Sequence, residues 1–354
     1  MLSVSYIIYA TCHRVTTATR AAFPSGECKR ANPHHTEPQA APAPAPHQIS
    51  ADTPQTGRVG QDWVVLQGGG GEMSSMVYAP VPEGQHASCH RVLGCEVCVM
   101  AVNLSFAACG FLGIYQLGVV GALQRHGQRL LGGLHACGGA SAGALVATVL
   151  LTAPHKLESC KDFAYRFAHS VRRQTLGAIT PGYDFMLELK KGIEEILPCD
   201  AHQRAEDRLH VSITHSRTRR NHIVSKFSSR EELIQALLAS SFVPFYAGLK
   251  PVEFQGQTWI DGGFTDSLPI MPQGRTITVS PFSGPLDICP SHNGRTSLTL
   301  HLANMSVHFS RQNLLRLNQA LFPPSESRMR ALGQEGYEDA VHFLRREHWT
   351  SSAS

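Results

Sequence analysis

Gly139-Ala140-Ser141-Ala142-Gly143 stands between a short apolar run, Leu134-His135-Ala136-Cys137, and the helix-forming Ala144-Leu145-Val146-Ala147-Thr148-Val149-Leu150-Leu151. A strand that ends at a serine and turns at once into a helix brings its backbones close together. The flanking positions then tolerate almost no side chain, and Gly139, Ala140, Ala142 and Gly143 meet that need. The hydroxyl is left on a tight corner beside the positive N-terminal end of the next helix. That is the setting of a nucleophile. The same residues would also suit a small-residue helix start with a buried serine as its N-cap, so the choice rests on the remainder of the chain.

Upstream of this stretch, residues 1–99 do not read as a domain. They carry Ala40-Ala41-Pro42-Ala43-Pro44-Ala45-Pro46 and Gly68-Gly69-Gly70-Gly71, with no sustained period of 2 or 3.6. Such a segment buries too little apolar surface to offset its chain entropy, and a disordered, low-complexity extension is expected. Asp62-Trp63-Val64-Val65-Leu66 is the exception, a lone strand or docking element. The folded domain is expected over 100–354. Of 31 Lys/Arg and 27 Asp/Glu in the 354 residues, the extension holds 6 and 7, leaving 25 basic and 20 acidic residues for the domain. That excess is too small and too scattered to argue for nucleic acid, so no nucleic-acid partner is expected, and it would favour an anionic membrane surface.

The N-terminus has no basic n-region for a signal peptide. Arg14 and Arg20 among threonines, with no acidic residue before Glu27, fit either a mitochondrial transit peptide or an extension of no structural role. Ten cysteines are scattered singly. Cys109 and Cys137 lie in apolar runs, and Cys95-x-x-Cys98 lacks the second ligand pair of a zinc site, so no metal and a reducing compartment are expected. Asn103-Leu104-Ser105 and Asn304-Met305-Ser306 match the glycosylation pattern; the first falls in an expected buried strand, and both are discounted.

Two runs free of Lys, Arg, Asp and Glu, 97–124 and 130–155, are long enough to cross a membrane. Asn103, Ser105, Gln116, His135 and paired glycines interrupt them. Buried parallel strands joined to buried helices give the same texture. The chain then reads as strand 102–108, helix 113–125, strand 134–137 and the helix after Ser141. The alternation implies a right-handed parallel unit and an α/β three-layer sandwich with a mainly parallel central sheet. Helices are expected over 155–173, 184–196, 229–239, 314–321 and 337–345, with Ser229-x-x-Glu232 as a capping box. Strands are expected over 208–215, 222–227, 258–260 and 276–280.

Two further loops belong to the chemistry. Ala108-Cys109-Gly110-Phe111-Leu112-Gly113 joins the first strand to the first helix, where dinucleotide-binding loops also lie. Ala108 stands where that fingerprint wants glycine, no acidic residue follows at the end of a second strand, and no Walker lysine is present. An oxyanion hole made by the Cys109 and Gly110 amides accounts for the loop better. Asp261-Gly262-Gly263 follows Trp259-Ile260 and lies at a strand's C-terminal end, the edge where open α/β sheets carry their sites; an ordinary Asp-Gly turn is the alternative. None of the downstream histidines, His292, His301, His308, His342 and His348, has a comparable setting.

In order and spacing, Asn103-Leu104-Ser105-Phe106-Ala107-Ala108-Cys109-Gly110-Phe111-Leu112-Gly113, Gly139-Ala140-Ser141-Ala142-Gly143 and Asp261-Gly262-Gly263 resemble the motifs of the patatin-like phospholipase family. The resemblance runs from about Met100 to Trp349. It implies a Ser-Asp dyad without histidine: Ser141 as nucleophile, Asp261 as general base, and an oxyanion hole at Cys109, Gly110 and Phe111. Gly113, Gly139, Gly143, Gly262 and Gly263 are the motif glycines. Ala108 departs from the family's usual glycine. A solvated aspartate, with a pKa of about 3.9, is a poor base for a serine hydroxyl, so Asp261 needs a dry pocket, for which Trp259, Ile260 and Phe264 are candidates.

The implied activity is a lipid acyl hydrolase and transacylase. It would cleave esters of neutral lipids such as triacylglycerol and retinyl ester, with phospholipid a further substrate, through an acyl-enzyme and without a cofactor. The implied setting is the cytoplasm, a lipid droplet or a membrane surface, held peripherally, or the mitochondrion. Arg172-Arg173, Lys190-Lys191 and Tyr183–Met186 are candidates for an interfacial face, with a solvated helix face as the alternative reading. The competing functions are a non-catalytic lipid-binding protein on the same fold and a conventional α/β-hydrolase with a Ser-Asp-His triad.

Overall fold

The structure is a computed structural model that describes residues 101–291 and 298–349. The readings made on 1–99, including the Asp62–Leu66 strand, Cys95-x-x-Cys98 and the targeting segment, lie outside the described residues, as does His292.

Both uncharged runs fold as strand plus helix. β1 (Val102–Phe106) leads through a turn at Gly110–Leu112 into α1 (Gly113–His126) and, after the short α2 (Gln128–Gly132), into β2 (Leu134–Ala140) and α3 (Ala142–Thr152). No helix among the described residues is long and apolar enough to cross a membrane. β1 is buried at every position and pairs in parallel with β2. The lack of charge in α1 before Arg125 follows from burial on more than one side. Its outer side is covered by the last helix of the chain, and a Cβ on Gly118 would stand 1.9 Å from the Gly333 carbonyl oxygen.

α4 (Leu157–Arg172), α5 (Phe185–Ile196) and α6 (Ala201–Ala205) precede β3 (Leu209–His215), which pairs in parallel with β2 and antiparallel with β4 (Asn221–Val224). α7 (Arg230–Ser240) starts where the capping box foretells, with Ser229 Oγ accepting from Glu232 N at 3.1 Å. β5 (Val252–Phe254) and β6 (Gln257–Asp261) form a hairpin whose second strand runs antiparallel to β3. β7 (Arg275–Val279) closes the far edge in parallel with β1. The sheet thus runs β5-β6-β3-β2-β1-β7 with β4 beside β3, and the four strands from β3 to β7 are parallel throughout. The expected α/β class with a mainly parallel central sheet is the observed one.

The crossover helices lie on one face. The other face is crossed by the β6–β7 connection: Ser212 Oγ donates to Asp266 O, Asn103 Nδ2 donates to Gln273 O, and the Met271 side chain lies over Gly138. β8 (Thr299–Leu302) and β9 (Met305–His308) make a separate two-stranded ribbon, followed by α8 (Arg311–Leu321) and α9 (Glu326–Arg346).

Candidate active site

β2 ends at Ala140 and α3 begins at Ala142, so Ser141 alone makes the corner, at φ 54° and ψ −129°. Positive φ is strained for a residue with a Cβ, and close packing holds it there. A Cβ on Gly139 would stand 2.5 Å from Gly143 C, one on Gly143 2.1 Å from Phe106 O, and one on Gly113 3.2 Å from Ala142 Cβ. The Ser141 side chain caps nothing on α3, which removes the N-cap alternative. Its amide donates to Ser240 Oγ at 2.9 Å, and that hydroxyl donates to Ser212 O at 2.7 Å.

Asp261 reaches the corner from the opposite direction. On β3, Ser212 pairs with Ala140 while the next residue, Ile213, pairs with Asp261. The end of antiparallel β6 therefore abuts the end of β2, and the Ser141 side chain comes near enough to the Asp261 carboxylate to draw its pKa down. Gly263 N donates to Asp261 Oδ1 at 2.7 Å, Thr214 Oγ1 donates to Asp261 O at 2.8 Å, and Asp261 N donates to Phe242 O at 2.8 Å. Asp261 is 5% exposed. Burial pushes its carboxyl from 3.8 up to about 6, against the downward pull of Ser141 and of the Gly263 hydrogen bond. Gly262 and Gly263 permit the crowding here: a Cβ would stand 2.1 Å from Ser212 O on the first and 2.7 Å from Ala108 Cβ on the second.

Through Ala108 the third loop joins the same place. The Ala108 amide is taken, donating to Ser267 O at 3.1 Å and Ser267 Oγ at 3.2 Å. The amides of Cys109, Gly110 and Phe111 donate to no group among the described residues, and all three line the cavity that holds Ser141 and Asp261. Gly110 sits at φ 52° with its Cβ position 2.2 Å from Ala320 O on α8, so only glycine fits. Burial, and after it the Asp261 charge, pushes the Cys109 thiol up, which keeps it neutral.

The cavity measures about 1050 Å³. Phe163, Phe167 and Phe185 form its inner wall, with ring centroids 4.8–5.6 Å apart where they meet Phe111 or one another in the closest pairs. Leu300 and Leu317 bring the ribbon and α8 to the outer wall. Asp261 is the only Asp, Glu, Lys or Arg among its lining residues. Of the three residues expected to dry the carboxylate, Phe264 lines the cavity. Trp259 does not; its indole donates to Phe254 O at 3.0 Å and packs on His215 and His222. No cluster fit to hold a metal occurs among the described residues.

A family model described as patatin-like phospholipase matches residues 104–272. Human patatin-like phospholipase domain-containing protein 4 is 60% identical over 248 residues, 70% of this chain and 98% of that protein. The chain belongs to the patatin-like phospholipase family. Mouse patatin-like phospholipase domain-containing protein 2 is 41% identical over 69% of this chain and 50% of its own length. Human omega-hydroxyceramide transacylase is 37% identical over 69% and 46%. The chain thus spans about half of these two longer relatives. At family level, this patatin-like phospholipase is a lipid acyl hydrolase/transacylase.

Other site features of the patatin-like domain were not read from the sequence. Ser240, which holds the Ser141 amide, follows a run of helix formers and looks like turn chemistry. Ser267 holds Ala108 from 159 residues away. Three of the four candidate interfacial cations are engaged elsewhere: Arg172 Nη1 donates to Pro324 O, Lys190 pairs with Glu194 at 3.7 Å and Lys191 with Glu188 at 2.8 Å. The two lysine pairs have the geometry of a solvated helix face.

Proposed function

We propose that this protein cleaves and transfers acyl groups of neutral lipids through a Ser141–Asp261 dyad. The observation that carries the reading is an apolar cavity of about 1050 Å³ whose sole carboxylate adjoins the strained serine. Asp261 takes the proton from Ser141 Oγ as that oxygen attacks the ester carbonyl. The carbonyl oxygen, now negative, receives the Cys109, Gly110 and Phe111 amides, each such donor contributing about 2.7–4 kcal/mol in the transition state. The proton passes from Asp261 to the departing alcohol, leaving Ser141 acylated. Water or a second lipid alcohol then attacks the acyl carbon and gives its proton to Asp261, which returns it to Ser141 as the acyl group leaves.

Triacylglycerol and retinyl ester fit a cavity without a fixed cation, and phospholipid fits if its headgroup stays outside. The volume lies at the top of the usual range of about 300–1,000 Å³ for small-molecule sites, room suited to a long acyl chain together with its acceptor. The buried thiols Cys109, Cys137 and Cys160 support a reducing, intracellular setting, and the apolar cavity supports peripheral contact with lipid.

The test uses a mixed neutral-lipid and phospholipid emulsion, with and without retinol, and a fluorophosphonate probe. Ser141→Ala and Asp261→Asn are expected to abolish acyl release while the fold is kept, and the probe to label Ser141. A folded protein that releases acyl groups after either substitution would refute the dyad, and one that never labels would be an inert lipid binder.

A further inference from the structure

Seven of the ten exposed large apolar side chains among the described residues gather on three neighbouring segments: Phe245 and Leu249, Leu298 and Phe309, and Leu314, Leu315 and Phe322. The segments are linked. Tyr246 Oη donates to Leu321 O, tying the 243–249 turn to the end of α8, and Phe309 N donates to Leu298 O at 2.7 Å, closing the ribbon just before α8. Leu298, Phe309 and Leu314 are both exposed and part of the cavity lining, so the patch is the rim of the acyl cavity. Apolar clusters of this kind on a folded surface mark interaction sites.

Phe245 sharpens the point. It lies at φ 67° with 66% of its surface exposed, in a turn closed by its own amide donating to Gly248 O at 2.8 Å. A phenylalanine in left-handed backbone is strained, and its exposure is unfavourable as well; such outliers concentrate where a surface is used. Leu249, at the other end of that turn, is 83% exposed.

Charge narrows the partner. Residues 298–324 and 241–250 contain no Asp or Glu, and both Arg311 and Lys250 are exposed beside the apolar residues. An apolar rim whose own segments carry only positive charge complements acyl chains beneath anionic headgroups.

We propose that α8, the ribbon ends and the 243–249 turn dock this protein on a phospholipid surface containing anionic lipid. Phe245, Leu249, Leu315 and Phe322 enter the acyl layer, and Arg311 and Lys250 meet the headgroups. The proposal rests on the acyl-cavity reading and adds to it the route by which a substrate passes from a lipid surface to Ser141.

Full-length protein is sedimented with vesicles of phosphatidylcholine alone and with added phosphatidylserine, beside hydrolysis of a short soluble ester. Wild type is expected to bind the phosphatidylserine vesicles more tightly. Leu249→Glu and Leu315→Glu should each weaken binding about tenfold or more. Arg311→Gln and Lys250→Gln should each weaken it about fivefold, on phosphatidylserine vesicles only. Soluble-ester turnover should stay at the wild-type level, which also reports a kept fold. Variants that bind like wild type, or a wild type that binds neither vesicle, overturn the docking face. A wild-type dimer that Leu315→Glu makes monomeric assigns the rim to a second copy and overturns it too. Vesicle binding lost in the variants without soluble-ester turnover in any form supports the face while refuting the catalytic reading.

Discussion

The Ser240 hydroxyl accepts the Ser141 amide hydrogen at 2.9 Å and donates its own to Ser212 O at 2.7 Å. One side chain at the end of α7 thus clamps the corner after β2 to the strand that also carries Asp261. The Ser141 amide is taken by that bond and serves position.

Ser240→Ala leaves a buried donor and a buried acceptor without their partner, which costs about 1–3 kcal/mol for such a group. The larger expected effect is on rate. A nucleophile free to shift by about an ångström loses on the order of 10²-fold. Steady-state kinetics should show kcat falling with KM nearly unchanged, and denaturant unfolding the smaller stability loss. A fall in KM-dependent binding alone would mean that Ser240 shapes the cavity wall.

Gly110→Ala tests the loop. A Cβ there meets Ala320 O at 2.2 Å and must also adopt φ 52°, so either the loop or α8 has to move. The unengaged amides of Cys109, Gly110 and Phe111 turn with it. Loss of one such donor corresponds to about 2.7–4 kcal/mol, on the order of 10²–10³ in kcat. The backbone strain lowers stability by a further 1–2 kcal/mol, roughly. Ala108→Gly, by contrast, should remain active, because the Ala108 amide is already given to Ser267.

The half of the fold around Ser141 was legible because its signals are local. Small residues at 139–143, a capping box at Ser229 and two uncharged runs each describe their own neighbourhood. The site was legible at its two ends only. Asp261 was expected at the C-terminal rim by analogy with parallel strands, whereas β6 is antiparallel and meets β2 head-on through the Ser212–Ile213 step. No local pattern encodes that encounter. The last helix was expected from Tyr337 but starts at Glu326. Gly333 and Gly336 read as breakers in a single sequence. In the fold a Cβ on Gly336 would stand 2.1 Å from Tyr115 O, so the glycines serve the close approach of α9 to α1. The β8–β9 ribbon went unread because Thr299-Leu300-His301-Leu302 alternates over only four residues before its turn.

Histidine substitution separates the dyad from a triad. The Asp261 carboxylate is engaged by Ser141 and Gly263, where a triad would put an imidazole. His301 and His308 line the cavity, yet the His301 ring is hydrogen-bonded to Ser306 Oγ at 2.7 Å within the ribbon. His301→Ala, His308→Ala, His342→Ala and His348→Ala are each expected to keep acyl release within about tenfold of wild type, since general-base loss typically costs 10²–10⁴-fold. A drop in that larger range at one position would make that histidine the base.

The buried carboxylate gives opposite pH trends for stability and rate. An unfolded aspartate titrates near its ordinary 3.8, the folded Asp261 near about 6. Between those values the folded state binds more protons than the unfolded one, so stability falls as pH rises through the window and stays lower above it. At about 1.4 kcal/mol for each pH unit, the ionised carboxylate costs the fold about 3 kcal/mol near pH 7. Asp261→Asn removes that cost. Urea unfolding should find the variant more stable than wild type near pH 7 and level with it near pH 4. Wild-type kcat/KM should instead rise with pH through about 6, as the base loses its proton. An Asn variant less stable than wild type near pH 7 would mean that the carboxylate is held by contacts that favour its charge, and a base so held would be too weak for the role assigned to it.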